Sequence, residues 1–267
     1  MINLIDFGNH TFRDDKKGGH GIVDMQKSIV ESCDTYYYML ARDMGVNMMH
    51  DFMKPLGFGQ ITGIDLQGEA RGVLPSTEWK KNTFKKPEQQ KWYEGETISL
   101  GIGQGYNAFT ILQLAHAMAN VANNGIVMKP HLVKAIEDPF TRNRVLTTPK
   151  ESYRIDLNAE NIEVIKKAML EVNISGTSAA AFKGTGYQVG GKTGTAQVFS
   201  LNSKEYKHSA TAEFLRDHAL YIAFAPVDKP TIVIAMVVEN AGFGAQYAAP
   251  IARKALDYYI EGKWPKE

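Results

Sequence analysis

Apolar residues recur at helical spacing most clearly between 111 and 122, where Ile111, Leu114, Ala115, Met118, Val121 and Ala122 fall on a helical pattern. Thr110 and Gln113 stand in the capping-box relation at its start, and Gly125 ends the run. Its many alanines predict close packing on several sides, as in a central helix. A second amphipathic run covers Ala159 to Val172, with Asn158 as cap and Ile162, Ile165, Met169 and Val172 on the buried face. A third covers Pro250 to Ile260, with proline near its start. Shorter helices are predicted from Met25 to Glu31 behind the cap Asp24, and from Thr35 to Met44, capped by Asp34 and ended by Gly45. One more is predicted from Ile174 to Ala181, entered through Ser175-Gly176-Thr177.

Strand signals lie at Tyr187 to Phe199, Ala219 to Ala225 and Thr231 to Val238, the last after the turn Asp228-Lys229-Pro230. Their near-continuous apolar character predicts a sheet covered on both faces, so the class is α+β. The first twenty residues read as loop, 55–107 as mostly irregular and 137–157 as a charged surface excursion. The polar stretch from Ser200 to His218 is long enough to act as a lid.

Composition narrows the function classes. With 44% hydrophobic residues, 267 residues supply an ample core, and a net charge of +1 makes no general case for nucleic acid or an anionic membrane. The lysines Lys80, Lys81, Lys85 and Lys86 read as a solvated face, without the regularly spaced aromatics of a base-stacking platform. Cys33 is the single cysteine, so no internal disulfide forms. No apolar run approaches the roughly 20 residues that span a bilayer, and no export signal is visible. An anchor or signal is expected to lie outside these residues.

Candidate chemistry centres on Gly190-Gly191-Lys192-Thr193-Gly194-Thr195-Ala196-Gln197. Glycines weaken a strand and mark a close approach by a ligand or another backbone. Lys192 adds charge, and Thr193 and Thr195 add donors, a set suited to a carboxylate. A glycine-rich bend in an ordinary sheet is the alternative. Ser32 and Asp34 sit at a predicted helix junction and from spacing alone read as capping residues. Gly101-Ile102-Gly103-Gln104-Gly105 lacks the βαβ context of a dinucleotide loop, and His116 reads as a satisfied, half-buried histidine.

In combination these signals resemble a class B penicillin-binding protein of the elongation type. The carriers are Glu31-Ser-Cys-Asp-Thr-Tyr-Tyr-Tyr38, Gly63-Ile-Asp-Leu66, Ile102-Gly-Gln-Gly-Tyr106, Asn124-Gly-Ile-Val127, Lys192-Thr-Gly-Thr-Ala-Gln-Val-Phe199 and Leu215-Arg-Asp-His218. Serine acyltransferases of this kind combine Ser-x-x-Lys, Ser-x-Asn and Lys-Thr-Gly. The resemblance implies a peptidoglycan D,D-transpeptidase with helices on both faces of an antiparallel sheet, acting in cell elongation and rod-shape maintenance on the periplasmic side of the inner membrane. Its implied partners are stem peptides, β-lactams, the membrane glycosyltransferase and other elongation proteins, with no nucleic acid. By position Ser32 resembles the proton-relaying serine. Asp34 stands where many relatives have asparagine, and an ionised aspartate accepts but cannot donate. Lys192 would set the potential of the site. Thr193, Gly194, Thr195 and Gln197 would bind substrate, the two threonines holding its carboxylate and the Thr195 N–H forming half the oxyanion hole.

No serine in the sequence has a lysine three residues on. The chain is therefore expected to be the downstream part of one transpeptidase domain over 1–267, without its nucleophile, pedestal domain and membrane anchor. A non-catalytic ligand-binding or scaffold module of the same fold, and a β-lactamase-like drug sensor, are the competing readings. The resemblance further implies a structural zinc held by Asp14, His20 and Cys33, whose oxygen, nitrogen and thiolate donors suit that ion, with a further aspartate ligand upstream that has no match in this sequence. A buried free cysteine beside two polar loop residues is the alternative.

Overall fold

The computed structural model describes residues 4–7, 10–198 and 211–264. The chain opens with a hairpin, β1 (Leu4–Phe7) and β2 (His10–Arg13), then α1 (Met25–Glu31) and α2 (Asp34–Met53). Helices α3 (Thr77–Thr83), α4 (Pro87–Gln90), α5 (Glu94–Gly101) and α6 (Ile111–Ala122) follow. Short strands β3 (Ile126–Met128), β4 (Ala135–Glu137), β5 (Arg144–Leu146) and β6 (Glu151–Arg154) lead to α7 (Ala159–Ile174) and α8 (Ala179–Phe182). The chain closes with β7 (Gly190–Ala196), β8 (His218–Ala225), β9 (Ile232–Val238) and α9 (Gly244–Glu261).

The strands β7, β8 and β9 form an antiparallel sheet in that order, with Lys192 opposite Ile222 and Tyr221 opposite Met236. Strand β8 is its middle, and its side chains alternate between two helical layers. Ala219, Tyr221, Ala223 and Ala225 pack with Ala248, Ala249, Ala252 and Leu256 of α9. Phe224 packs the other way, with Met118 and Ala122 of α6 and Met169 of α7. Each large side chain so buried contributes about 1.5–3 kcal/mol, and small α9 residues let that helix lie close to the sheet. The fold is thus α+β, an antiparallel sheet with helices on both faces. The caps Asp24, Asn158 and Thr110 accept from Lys27 N, Asn161 N and Gln113 N.

Several elements depart from the pattern, most of them at contacts distant in sequence. The N-terminal loop contains the β1–β2 hairpin, which is held on α2 by the rings of Phe12 and Tyr38, 5.5 Å apart. Helix α2 begins at Asp34, with Cys33 at the cap position, and runs to Met53 through a kink at Gly45 (φ 74°, ψ 157°). Beyond the kink Val46 is buried and Asn47 accepts from Thr77 N at 3.0 Å, which anchors the second half. The region 55–107 carries three helices, and α5 crosses α2 so closely that a Cβ on Gly101 would overlap Ala41 and the Tyr37 carbonyl. Lys80 belongs to no solvated face: it is 3% exposed, paired with Glu96, and ringed by Trp92, Tyr93 and Tyr106 at 5.2–5.5 Å. The stretch 137–157 is exposed as expected but contains β5 and β6.

The expected helix over 174–181 is divided: α7 ends at Ile174, a turn follows, and α8 starts at Ala179. Helix α9 starts at Gly244, so Pro250 lies inside it. Burial of Ala248 and Ala249 against the sheet outweighs the backbone hydrogen bond that proline forgoes. The first expected sheet strand begins at Gly190, because Tyr187 is engaged with Asp257 of α9 at 2.7 Å. Phe199, and the part of the expected lid over 200–210, lie outside the described residues.

Candidate active site

Ser32 closes the C-terminus of α1 in the left-handed region, at φ 59° and ψ 50°. Non-glycine residues adopt this conformation uncommonly, and it turns Ser32 out of the helix toward β7. There Lys192 Nζ donates to Ser32 Oγ at 2.8 Å across 160 positions of sequence, and to the Thr193 carbonyl at 3.0 Å. Asp34 lies in the first turn of α2, half-buried. Burial, with the nearby carboxylates Asp15 and Asp14, pushes its carboxyl up to about 7, and Lys192 opposes the shift. Burial pulls the Lys192 ammonium down to about 8, against the pull of Asp34 and Asp15. Lys192 thus remains mostly protonated at neutral pH and donates to Ser32, which leaves the serine's own proton free to move on.

Among the described residues strand β7 is an edge of its sheet, so one row of its backbone groups faces away from β8. The Thr193 hydroxyl lies 2.8 Å from the Thr177 hydroxyl. Gly194 and Thr195 pair with Leu220 and Ala219, and Thr195 is half-buried. Gln197 stands beyond the strand end with its side chain exposed. The first glycines of the strand serve the fold rather than a ligand. A Cβ on Gly190 would overlap the Phe224 ring, and one on Gly191 the Tyr221 hydroxyl. That hydroxyl donates to Asn173 Oδ1 at 2.7 Å, and Asn173 Nδ2 donates to the Val189 carbonyl at 2.7 Å, tying α7 to the base of β7. Sequence reasoning passed over Thr177. Its only signal was a glycine between two hydroxyl residues, Ser175-Gly176-Thr177.

Directly behind Ser32 lies a second constellation. Ligand atoms of Asp14, His20 and Cys33 all fall within 4.8 Å of one another. His20 Nδ1 is 2.9 Å from Asp14 Oδ1, yet it is buried without a hydrogen bond. A buried ring nitrogen, a carboxylate oxygen and a thiol sulfur so grouped form a donor set that fits a shared cation. Asp14 Oδ2 meanwhile accepts from Thr35 N at 3.1 Å and Thr35 Oγ1 at 2.9 Å. The loop carboxylate thereby caps α2, where Cys33 makes no side-chain cap bond. His116 is tied to the Met128 carbonyl through Nε2 at 3.0 Å.

The sheet covered by helices on both faces presents Lys192 of β7 to a serine at a helix junction, the layered arrangement of a transpeptidase-type domain. Residues 3–257 match the family model of the penicillin binding protein transpeptidase domain, and the chain belongs to that family. Within it the likeness is to the elongation branch. The chain is 43% identical to the peptidoglycan D,D-transpeptidase MrdA of Haemophilus influenzae, over 96% of this chain and 39% of that protein. A crystal structure of Pseudomonas aeruginosa PBP2 in complex with WCK 5153 superposes with a TM-score of 0.80 at 35% identity, covering 98% of this chain and 56% of that one. The complex of PBP2 and MreC from Helicobacter pylori gives 0.79 at 28% identity, covering 98% and 44%. The chain therefore spans well under two thirds of the length of these relatives.

Proposed function

We propose that this chain supplies the proton-relay and substrate-carboxylate half of a peptidoglycan D,D-transpeptidase of cell elongation. The observation that carries the reading is the 2.8 Å contact of Lys192 Nζ with Ser32 Oγ. In acyl transfer from a D-alanyl-D-alanine stem, a nucleophilic serine attacks the amide carbonyl, and the departing amine needs a proton. Ser32 donates it, with Lys192 holding the serine oxygen and restoring its proton. Thr193 and Thr195 donate to the terminal carboxylate beside the Lys192 charge, and the backbone N–H of Thr195 serves the oxyanion. Asp34 and Asp15 hold the lysine in its charged form. The partners are stem peptides and β-lactams, together with a glycosyltransferase and other proteins of the elongation machinery. The MreC complex of the Helicobacter relative supports that last assignment. The site of action is the periplasmic face of the inner membrane.

A zinc ion at Asp14, His20 and Cys33 belongs to the same proposal. Oxygen, nitrogen and thiolate donors suit tetrahedral zinc, and the orphaned His20 nitrogen is what such an ion would satisfy. It would act structurally, fastening the loop after β2 to the α1–α2 junction that carries Ser32.

Intact-mass spectrometry tests the catalytic reading. A product of this gene that includes a Ser-x-x-Lys segment gains the mass of one penicillin, and Lys192→Ala abolishes that gain. An extended protein that stays unmodified in excess drug overturns the reading.

A further inference from the structure

We propose that Thr177 is a positioning residue of the carboxylate site, donating its hydroxyl proton to Thr193 so that the Thr193 proton points at the substrate. This deepens the reading given above and rests on it. The two hydroxyl oxygens are 2.8 Å apart, and either could be the donor in the free protein. A bound carboxylate removes that freedom, because it only accepts. Thr193 must then give its single proton to the ligand. Thr177 is left as the donor into a Thr193 lone pair, and the chain runs from Thr177 through Thr193 to the carboxylate. Donation into the oxygen polarises the Thr193 O–H and fixes its rotor.

The turn that carries Thr177 is held on both sides. A Cβ on Gly176 would overlap the Val30 carbonyl of α1 and crowd Val172 of α7. Ser178 is 1% exposed and donates to Asn173 Oδ1 at 2.6 Å, the same oxygen that receives the Tyr221 hydroxyl. Thr177 therefore sits between a glycine pressed on α1, two residues before Ser32, and a serine fixed to the network at the base of β7. The turn sets the spacing between the two elements that make the cleft, and its threonine is the member that touches the cleft wall.

The test compares two ligands that differ in the charge at issue. Acetyl-D-alanyl-D-alanine and its C-terminal amide are titrated by NMR against the wild type, Thr177→Val and Thr177→Ser. The wild type prefers the acid. Thr177→Val reduces the acid-over-amide preference by about fivefold to tenfold, the loss of one hydrogen-bond donor behind a charged contact. Thr177→Ser retains the preference. An unchanged preference in Thr177→Val overturns the proposal, and so does equal weakening of both ligands, which marks a purely structural role. Where the valine variant does not fold, Thr177→Ala is read in its place by the same criteria. Failure of the wild type to bind either ligand overturns the carboxylate reading of the cleft itself.

Discussion

Lys192 carries the conflict between stability and function at the scale of one residue. Its folded value of about 8 lies below the 10.5 of an ordinary lysine. Between those values the unfolded chain binds more protons, so the contribution of this group to stability rises with pH across that window. At pH 7 the charged side chain is a burden on the fold. Lys192→Met is expected to raise stability by about 1–3 kcal/mol at pH 7, the ammonium's bonds to Ser32 and the Thr193 carbonyl keeping the effect below a full desolvation penalty. The gap closes as pH approaches 10, and binding of anionic ligands is lost. Denaturant titrations at several pH values check this, and a variant less stable than wild type at pH 7 contradicts it. Gly191 presents the opposite case, a residue beside the site whose constraint is packing. Gly191→Ala drives a methyl group into the Tyr221 hydroxyl and its bond to Asn173. A loss of about 2–4 kcal/mol follows, and Tyr221→Phe in the same molecule recovers part of it. Calorimetry of the single and double variants decides, and the idea falls if Gly191→Ala melts with the wild type.

At the scale of elements, the α1–α2 junction is built from the loop before it. Asp14 caps α2 through Thr35 while facing His20 and Cys33. Asp14→Ala therefore removes a cap as well as a ligand, and costs about 1–2 kcal/mol even in protein freed of metal. Metal removal adds to this. A strong chelator is expected to lower the melting temperature of the zinc-loaded wild type and to leave Cys33→Ala unmoved. Elemental analysis of protein purified in metal-free buffer then finds zinc in the wild type and none in Cys33→Ala. Equal chelator sensitivity of the two proteins would sink the assignment. Helix α9 illustrates another route to an element's limits. Its start at Gly244 depends on that glycine lying against the Leu220 and Gly194 carbonyls, a contact a side chain would block.

For the whole molecule, the two halves of the described cleft are joined through α7. Residue 32 and residue 192 meet because α7 packs on both α1 and β7. The Ser32–Lys192 contact is therefore assembled in the chain, yet no serine in the sequence has a lysine three residues on, the spacing that activates an acylating serine. The 267-residue chain by itself is expected to show no covalent penicillin adduct by intact mass, since loss of the nucleophile removes most of the rate enhancement of such a unit. An adduct abolished by Ser32→Ala would show that Ser32 is the nucleophile rather than the relay. One that survives this substitution would point to another serine.

By itself the sequence determined the layered class and the long elements. The 111–122 helix, the capped α7 and the three sheet strands are written in local periodicity and capping chemistry, which tertiary contacts only reinforce. The family was legible too, because Lys192-Thr-Gly and Glu31-Ser-Cys-Asp are short contiguous motifs. What escaped is non-local. The seating of the β1–β2 hairpin on α2, the continuation of α2 past Gly45, the close crossing of α5 and the burial of Lys80 each depend on partners that local pattern does not name. The same holds for the site. The motif glycines suggested a ligand's approach, whereas Phe224 and Tyr221 occupy the space at Gly190 and Gly191. Thr177 meets Thr193 only because the turn after α7 lies against β7. Only the tertiary structure decided the pairing of Ser32 with Lys192, since a hydrogen bond across 160 positions is set by how the helices pack on the sheet.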